Sequence, residues 1–436
     1  MNLPSKTLGI ILAGGVGSRL SPLTLDRAKP AVPFGGRYRI IDFTLSNCLH
    51  SGLKQILVMT QYKSHSMQEH LRDGWSVFNP QLGEYITAVP PQMRTGDSWY
   101  SGTADAICQN LSLIKRSGAK NVIILSGDHI YRMDYSDMIR RHEESSADVT
   151  VACMEVDLNA AQSFGVMSVD DNDRIYEFQE KPLRPRPIPG SSDRALASMG
   201  IYVFRTEMLS RELCADHDDP SSSHDFGKDI LPRLIHTHRV FGYRFGTDGK
   251  NASHCYWQDV GTIDAYYQAN MDLLSSSPPL DLYSEDWTIK TYDVSAPPVR
   301  IGVDSFGKHG EAVNSLLSNG VIIEGGIVKN SILSTGVRVA SGALVENSIL
   351  FDGVRVGEGT QIRNCIIDKN VHVPPGFTIG INPTLDAERF TVSDRGIVVV
   401  PKDYRFAATE RKVPPATVLS ARTQEPELVP VSAGVS

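Results

Sequence analysis

Short apolar runs alternate with longer mixed stretches from the start of the chain to about residue 275. "TLGIILAGG", "QILVMTQ", "NVIILSGD", "DVTVACME" and "ASMGIYVF" are rich in Ile and Val and bounded by Gly, Asp or Ser. Runs so nearly free of polar residues read as strands buried on both faces. Between them, "DFTLSNCLHSGL", "TADAICQNLSLIKRSG" and "DYSDMIRRHEESS" read as helices, the last with Asp134 or Ser136 as its cap. The alternation predicts an α/β domain over residues 1–275, an open, mostly parallel sheet covered on both faces. Ligands of such sheets bind beyond the carboxyl ends of the strands.

At "SSSPPLDLYSEDW" (Ser275 to Trp287) serine and proline break the pattern, and residues 276–310 read as a linker. A repeat follows. "NSILSTGVRVASGALVE", "NSILFDGVRVGEGTQIR" and "NCIIDKNVHVPPGFTIG" start at Asn330, Asn347 and Asn364, seventeen residues apart. Each copy breaks into three pieces, and each piece returns an apolar residue to one corner. The corner residues are Ile332, Val337 and Ala343, then Ile349, Val354 and Thr360, then Ile366, Val371 and Phe377. So short a period means stacked coils of a parallel β-helix over 311–401, because one coil cannot bury its own apolar face. A solenoid of this size is expected to pack on the first domain or on another subunit. From 402 to 436 periodicity is lost to Pro, Ala, Thr and Glu, the composition of a flexible tail.

The bulk composition narrows the function classes. At 436 residues, 41% hydrophobic and 21% charged, the chain is of globular type with room for two or three domains. A net charge of −7 carries no basic footprint for nucleic acid, so anionic ligands must be held by a few placed cations. No apolar stretch is long enough to span a membrane, and the N-terminal one is too short for a signal peptide. The six cysteines (Cys48, Cys108, Cys153, Cys214, Cys255 and Cys365) are scattered without a C-x-x-C pair, which suits reduced thiols in the cytoplasm.

Candidate chemistry gathers at the strand ends. In "LGIILAGGVGSRLSPLTLDRAKP", Gly14, Gly15 and Gly17 follow an apolar strand and can bring backbone N–H groups against phosphate. Arg19 offers a planar fork and Lys29 a point charge, with Pro30 fixing the backbone beside it. An ordinary βα turn with surface charges would look similar, since the spelling is neither of the common phosphate loops. "NVIILSGDHIYRMDY" ends a second strand in Gly127 and Asp128, and "CYWQDVGT" ends a third in Asp259. Two carboxylates at two strand ends suit Mg²⁺ bound to substrate phosphates, a reading favoured over Asp128 merely capping a following helix. Glu180 and Lys181 in "IYEFQEKPLRP" suit a sugar phosphate, but from pattern alone they are also an ordinary solvated turn. His129 and His224 read as structural. No nucleophile with a paired base is evident, so covalent catalysis is not favoured.

Taken together these stretches resemble one family, the sugar nucleotidylyltransferases, and within them the bacterial ADP-glucose pyrophosphorylases (glucose-1-phosphate adenylyltransferases). The resemblance covers about residues 8–400 and rests on "LAGGVGSRL", "RAKPAVPFGGRYRIIDFTLSNCLHSG", "TQY", "WYSGTADA", "GDHIYRMDY", "FGVM", "FQEKP", "SMGIYVF", "SSHDFGKD" and "WQDVGT", in family order. It implies a Rossmann-like nucleotidyltransferase domain with a mostly parallel sheet, followed by a short left-handed parallel β-helix. It also implies transfer of the adenylyl group of ATP to α-D-glucose 1-phosphate with release of pyrophosphate, Mg²⁺ as cofactor, a cytoplasmic homotetramer and control by metabolite effectors in glycogen synthesis. By matching position, Gly14, Gly15, Gly17, Arg19, Lys29 and Gly102 would bind ATP, with Arg19, Lys29 and Asp128 catalytic. Asp128 and Asp259 would hold the metal. Tyr100, Gly165, Glu180, Lys181 and Ser198 would contact glucose 1-phosphate, and Gln61 and Trp99 would relay effector binding.

One position departs from the pattern. Some relatives carry a lysine just before "RAKP", where this chain has Asp26, so an activator would need other cations such as Arg27 or Arg37. Rival readings are a hexapeptide-repeat acyltransferase, whose only repeat histidine would be His372, a catalytically idle regulatory subunit, and transfer of a different nucleotide.

Overall fold

The computed structural model describes residues 6–92, 99–246 and 256–407. The apolar runs form a nine-stranded sheet. Its centre is parallel: Asn121–Ser126, Thr7–Leu12, Gln55–Met59 and Tyr85–Val89 lie side by side in that order. The long strand Arg194–Arg205 joins Asn121–Ser126 antiparallel and carries Val149–Asp157 and the hairpin Gly165–Val169/Ile175–Glu180 on its other flank. Leu8, Ile10, Ile11, Ile123 and Ile124 are fully buried, as continuous apolar strands require when both faces are covered. Two apolar layers sandwich the sheet, since alternate side chains leave opposite faces: Ile10 and Ile124 belong to one, Ile11 and Leu125 to the other.

Helices form at Ile40–His50 and Tyr135–Glu144, and Asp134 caps the second by accepting from the Ser136 N–H at 2.8 Å. The stretch expected as one helix from residue 103 is two, Thr103–Cys108 and Leu111–Ser117. Asn110 ends the first by turning its amide onto the Ala106 carbonyl (2.9 Å) and the Tyr100 hydroxyl (3.0 Å).

The repeat builds three parallel sheets of a β-helix, an architecture consistent with the expected left-handed solenoid. Asn314, Asn330, Asn347 and Asn364 stack at one corner with left-handed φ near +45 to +50°, which asparagine tolerates. Beside them Ser315, Ser331 and Ser348 each accept the N–H one coil later at 3.1–3.2 Å, and Cys365 ends the ladder. The apolar corner residues divide between two faces. Leu333, Leu350 and Ile367 fill the solenoid, whereas Ile332, Ile349 and Ile366 point outward. Strand alternation forces this, and the outward isoleucines are buried because the first domain covers them.

That seam joins the two domains in one apolar cluster with Leu20, Val32, Phe34, Phe43, Ile263 and Tyr266. Within residues 276–310, the stretch 280–291 is closely docked, with Leu280 and Ile289 buried. Trp287 stacks on His50 with ring centroids 4.4 Å apart and donates to Asn47 at 3.1 Å, and Thr291 donates to the buried Asp42 at 2.7 Å. The first solenoid strand, Arg300–Gly302, already lies within 276–310, ahead of residue 311. At the other end Tyr404 and Phe406 pack on Phe390 and Phe377, so the expected tail is anchored to residue 407, and 408–436 lie outside the described residues. No helix among the described residues is long and apolar enough to cross a membrane. Cys48, Cys108, Cys153, Cys214 and Cys365 are free thiols, and Cys255 lies outside the described residues.

Truncating Ile349 to alanine should lower the unfolding free energy by about 2–5 kcal/mol, the range for a buried aliphatic side chain whose site cannot collapse. Urea denaturation measures it, and a loss below about 0.5 kcal/mol would show that the seam is not packed.

Candidate functional site

Three parallel strands end on one cavity of about 590 Å³, whose wall includes their last or near-last residues Leu12, Met59 and Ser126. The glycine loop follows Leu12. Gly17 has φ +64°, and a Cβ there would lie 2.9 Å from the Lys29 Cβ, so only glycine allows the loop and the lysine turn to touch. Gly14, Gly15, Arg19 and Lys29 also line the cavity. Lys29 opens a 3-10 turn with Pro30 at its start, the local stiffening expected of the dipeptide.

Lys29 is 6% exposed and would be costly to bury unpaired. Its ammonium donates to Asp128 Oδ2 at 2.8 Å and to Asp259 Oδ1 at 3.0 Å. Asp128 follows Gly127, where a Cβ would lie 2.9 Å from Ile11 and force the strand end away. The chain after Asp128 is a strand, His129–Tyr131, and so Asp128 does not cap a helix. This strand pairs antiparallel with Trp257–Asp259, setting His129 opposite Asp259. The two aspartates, distant in sequence, therefore reach one ammonium through a two-stranded ribbon. Arg19 belongs to the same group: a Cβ on Gly261 would lie 3.0 Å from the Asp259 carboxylate and 3.1 Å from the Arg19 guanidinium.

The charges answer to these contacts. Burial opposes ionisation of Asp128, but His129 and Lys29 overcome it and hold the carboxyl well below the usual carboxylate range. Burial likewise opposes the charge on Lys29, yet the two carboxylates raise its pKa above the ordinary lysine value. Among the described residues no group of three or more His, Cys, Asp or Glu is arranged to hold a metal. The donor set on offer is two carboxylates on one cation.

Other expected residues fall in two places. Gln61, Tyr100 and Gly102 line the cavity, with Gln61 donating to the Tyr100 carbonyl at 3.3 Å. Gly102 has extended backbone and is glycine for room, because a Cβ would strike the His224 carbonyl at 2.2 Å. Trp99, 53% exposed, is not among the lining residues. Gly165, Glu180, Lys181 and Ser198 are not among the lining residues. Gly165 pairs with Glu180 across the hairpin, and Cβ atoms on Gly165 and Gly227 would lie 3.0 and 2.5 Å from the Glu180 carboxylate. Lys181 projects outward and meets Glu180 at 3.3 Å. Ser198 sits where the register of its strand shifts, a bulge of the kind that re-aims side chains.

Asp225 and Thr103 line the cavity and were not singled out in the sequence. Thr103 donates to Asp225 at 3.2 Å, while the other Asp225 oxygen accepts from the Gly227 and Lys228 N–H groups. The available signal was an aspartate opening a helical turn within "SSHDFGKD". Arg27 is removed from the candidate effector cations: its guanidinium is buried in a paired contact with Asp368. Arg37 is exposed and meets Asp293 at 3.2 Å. His372, the histidine of the acyltransferase reading, is exposed on the solenoid.

Comparison with known proteins follows the same two-part division. The nucleotidyl transferase family matches residues 8–276, and the GlmU-like C-terminal hexapeptide family matches residues 297–400. Glucose-1-phosphate adenylyltransferase 2 of Vibrio vulnificus (strain CMCP6) is 62% identical over 400 residues, covering 92% of this chain and 99% of that one. The enzyme of the same name from Vibrio cholerae serotype O1 is 57% identical over 402 residues, with the same coverage. Glucose-1-phosphate adenylyltransferase of Methylobacillus flagellatus is 46% identical over 404 residues, 92% of this chain and 94% of that one.

Asp128 contributes stability that is present above about pH 4 and lost as pH falls through its depressed folded value. Lys29 contributes stability that is present below about pH 10.4 and lost as pH climbs through its raised one. In metal-free buffer the fall in unfolding free energy between about pH 5 and pH 3 should be shallower in Asp128→Asn than in the parent. Equal slopes would mean that Lys29 does not hold this carboxylate in solution.

Proposed function

We infer the chemistry of this cavity from the premise that the chain belongs to the nucleotidyl transferase family, among the glucose-1-phosphate adenylyltransferases. Its reaction is the making of ADP-glucose and pyrophosphate from ATP and α-D-glucose 1-phosphate. The observation that carries the assignment of residues is the convergence of Lys29, Asp128 and Asp259 beside the glycine loop.

In our reading the N–H groups of Gly14, Gly15 and Gly17 face the ATP phosphates, with Arg19 and Lys29 drawing charge toward the leaving pyrophosphate. A phosphate oxygen of glucose 1-phosphate attacks the α-phosphorus of ATP. The new P–O bond forms as the bond to the β-phosphate's bridging oxygen breaks, and the pyrophosphate carries away the electron pair. Such transfer asks little covalent work of the protein, so catalysis is alignment and charge stabilisation. Glu180 accepts from glucose hydroxyls, Lys181 swings onto the sugar phosphate, and Tyr100, Gly165 and Ser198 shape that side. Gly102 shapes the nucleotide side.

Asp128 and Asp259 would hold Mg²⁺: both are hard oxygen donors, and they stand close enough together to share one cation, the Lys29 ammonium. Bound there, Mg²⁺ would supply charge neutralisation to the phosphates. Control by metabolite effectors, relayed through Gln61 and Trp99, and assembly as a cytoplasmic homotetramer complete the proposal. The cleft at the domain junction is lined by Arg37, Arg39 and Lys369, but Asp293 and Asp352 pair with the first and last of these, so an anionic effector there would have to displace carboxylates.

Pyrophosphate release is to be measured with Mg²⁺ and glucose 1-phosphate, offering ATP, UTP, GTP, CTP and dTTP separately. Release with ATP is expected, falling about a hundredfold or more in Asp128→Asn with the fold retained. Release with another nucleotide would move the chain to a sister activity, and silence with all of them to the regulatory-subunit reading. Glu180→Gln should raise the KM for glucose 1-phosphate about tenfold and leave that for ATP unchanged. A KM change for ATP alone would take Glu180 away from the sugar.

A further inference from the structure

The segment that carries Lys29 has almost no ladder of its own. Between the glycine loop and the helix at Ile40 the chain makes 3-10 turns at Ser18–Leu20 and Lys29–Ala31 and one two-residue strand pair. Without a helix or a long strand, side-chain anchors must set its position. Several anchors come from the catalytic domain, among them the Tyr266 hydroxyl donating to the Pro33 carbonyl and the Asn270 amide oxygen accepting the Gly35 N–H at 2.9 Å. Thr24 donates to the Gly17 carbonyl at 3.0 Å, and Lys63 donates to the carbonyls of Thr24 and Leu25. Another comes from the solenoid. Arg27 donates through both terminal nitrogens to Asp368, at 3.1 and 3.0 Å, across the domain seam.

This pair differs from the surface ion pairs of the chain. Arg27 is 5% exposed and Asp368 1% exposed. Asp368 is itself held by the coil: its carboxylate accepts the Lys369 N–H at 2.7 Å and its N–H donates to the Val400 carbonyl at 3.0 Å. A buried pair adds little net stability over apolar packing, so its plainest physical effect is to fix one geometry. The lever is short. Only Ala28 stands between Arg27 and Lys29, in extended backbone, and Pro30 stiffens the far side. Lys29 in turn packs against Gly17 with no room for even one added carbon, so a shift of the turn passes to the ammonium.

We propose that the Arg27–Asp368 pair is an interdomain latch that positions Lys29, so that the solenoid, through Asp368, sets where this ammonium stands against Asp128 and Asp259. Arg27 and Asp368 are positioning residues for adenylyl transfer and touch neither substrate. The proposal rests on the reading of Lys29 as a phosphate-binding cation.

The test uses the full chain with Asp368→Asn, which keeps the shape and removes the charge. Turnover should fall about 10- to 100-fold, the effect of a misplacement near 1 Å, while both KM values stay within about threefold. Lys29 should also become several-fold more reactive toward N-hydroxysuccinimide acetate, read by peptide mass spectrometry without substrates. Unchanged turnover and unchanged Lys29 labelling, with only a lower Tm, would overturn the latch. If Asp368→Asn does not fold, Arg27→Lys, which keeps the charge and loses the fork, is judged by the same two readouts. A fully active Lys29→Gln enzyme would instead overturn the reading of Lys29, leaving the labelling to decide the latch by itself.

Discussion

A buried ammonium must have its charge answered, and in this protein the answer organises the site. Lys29 lies out of water beside the cavity, so two carboxylates have to come to it. One stands at the end of a central parallel strand and the other on a short ribbon strand far along the chain. The ribbon register, the glycines that leave room at positions 17, 127 and 261, and the stiff turn at Pro30 are the means by which the three charges meet. Because each charge satisfies another, the group is held in one arrangement before any ligand arrives.

The second domain is continuous with this arrangement. Its outward isoleucines share one apolar cluster with the residues that follow the lysine turn, Val32 and Phe34, and the docked strap over 280–291 ties the helix Ile40–His50 from outside. Apolar burial of this kind is non-directional and fixes contact without fixing orientation. Orientation comes from polar contacts within the seam, including Tyr267 on the Asn347 carbonyl at 2.7 Å and Arg27 on Asp368.

Much of this was legible in the sequence, for identifiable reasons. Strands such as "NVIILSGD" are apolar on both faces, so burial alone names them, and the residues after them fall at the carboxyl edge where ligands bind. Gly17, Lys29, Asp128 and Asp259 were each visible as chemistry at a strand end. That the lysine sits between the aspartates was not, because it depends on His129 pairing with Asp259, a contact between remote segments that no local pattern encodes. The repeat displayed its period but not which isoleucines face out, since alternation gives two faces and only the neighbouring domain decides that both are dry. Arg300–Gly302 escaped notice because a single coil at the solenoid's end has lost the repeat's spelling. Arg27 read as a free cation because its partner lies 341 positions away.

The corner ladder has a consequence for how the solenoid can vary in evolution. Its asparagines and serines repeat at intervals of 16 and then 17 residues, each bonded to the coil before it. Gain or loss of a single residue within a strand would turn the side chains that follow it through the wall, whereas a turn absorbs one, as the 16-residue interval does with Leu316 and Leu317 still paired to Ile332 and Leu333. Whole turns are the natural quantum of growth. Yet three consecutive turns also meet the first domain, so even a complete extra one inserted among them would carry Asp368 out of reach of Arg27. New length is tolerable chiefly at the two ends of the stack, and the middle is frozen by the surface it touches.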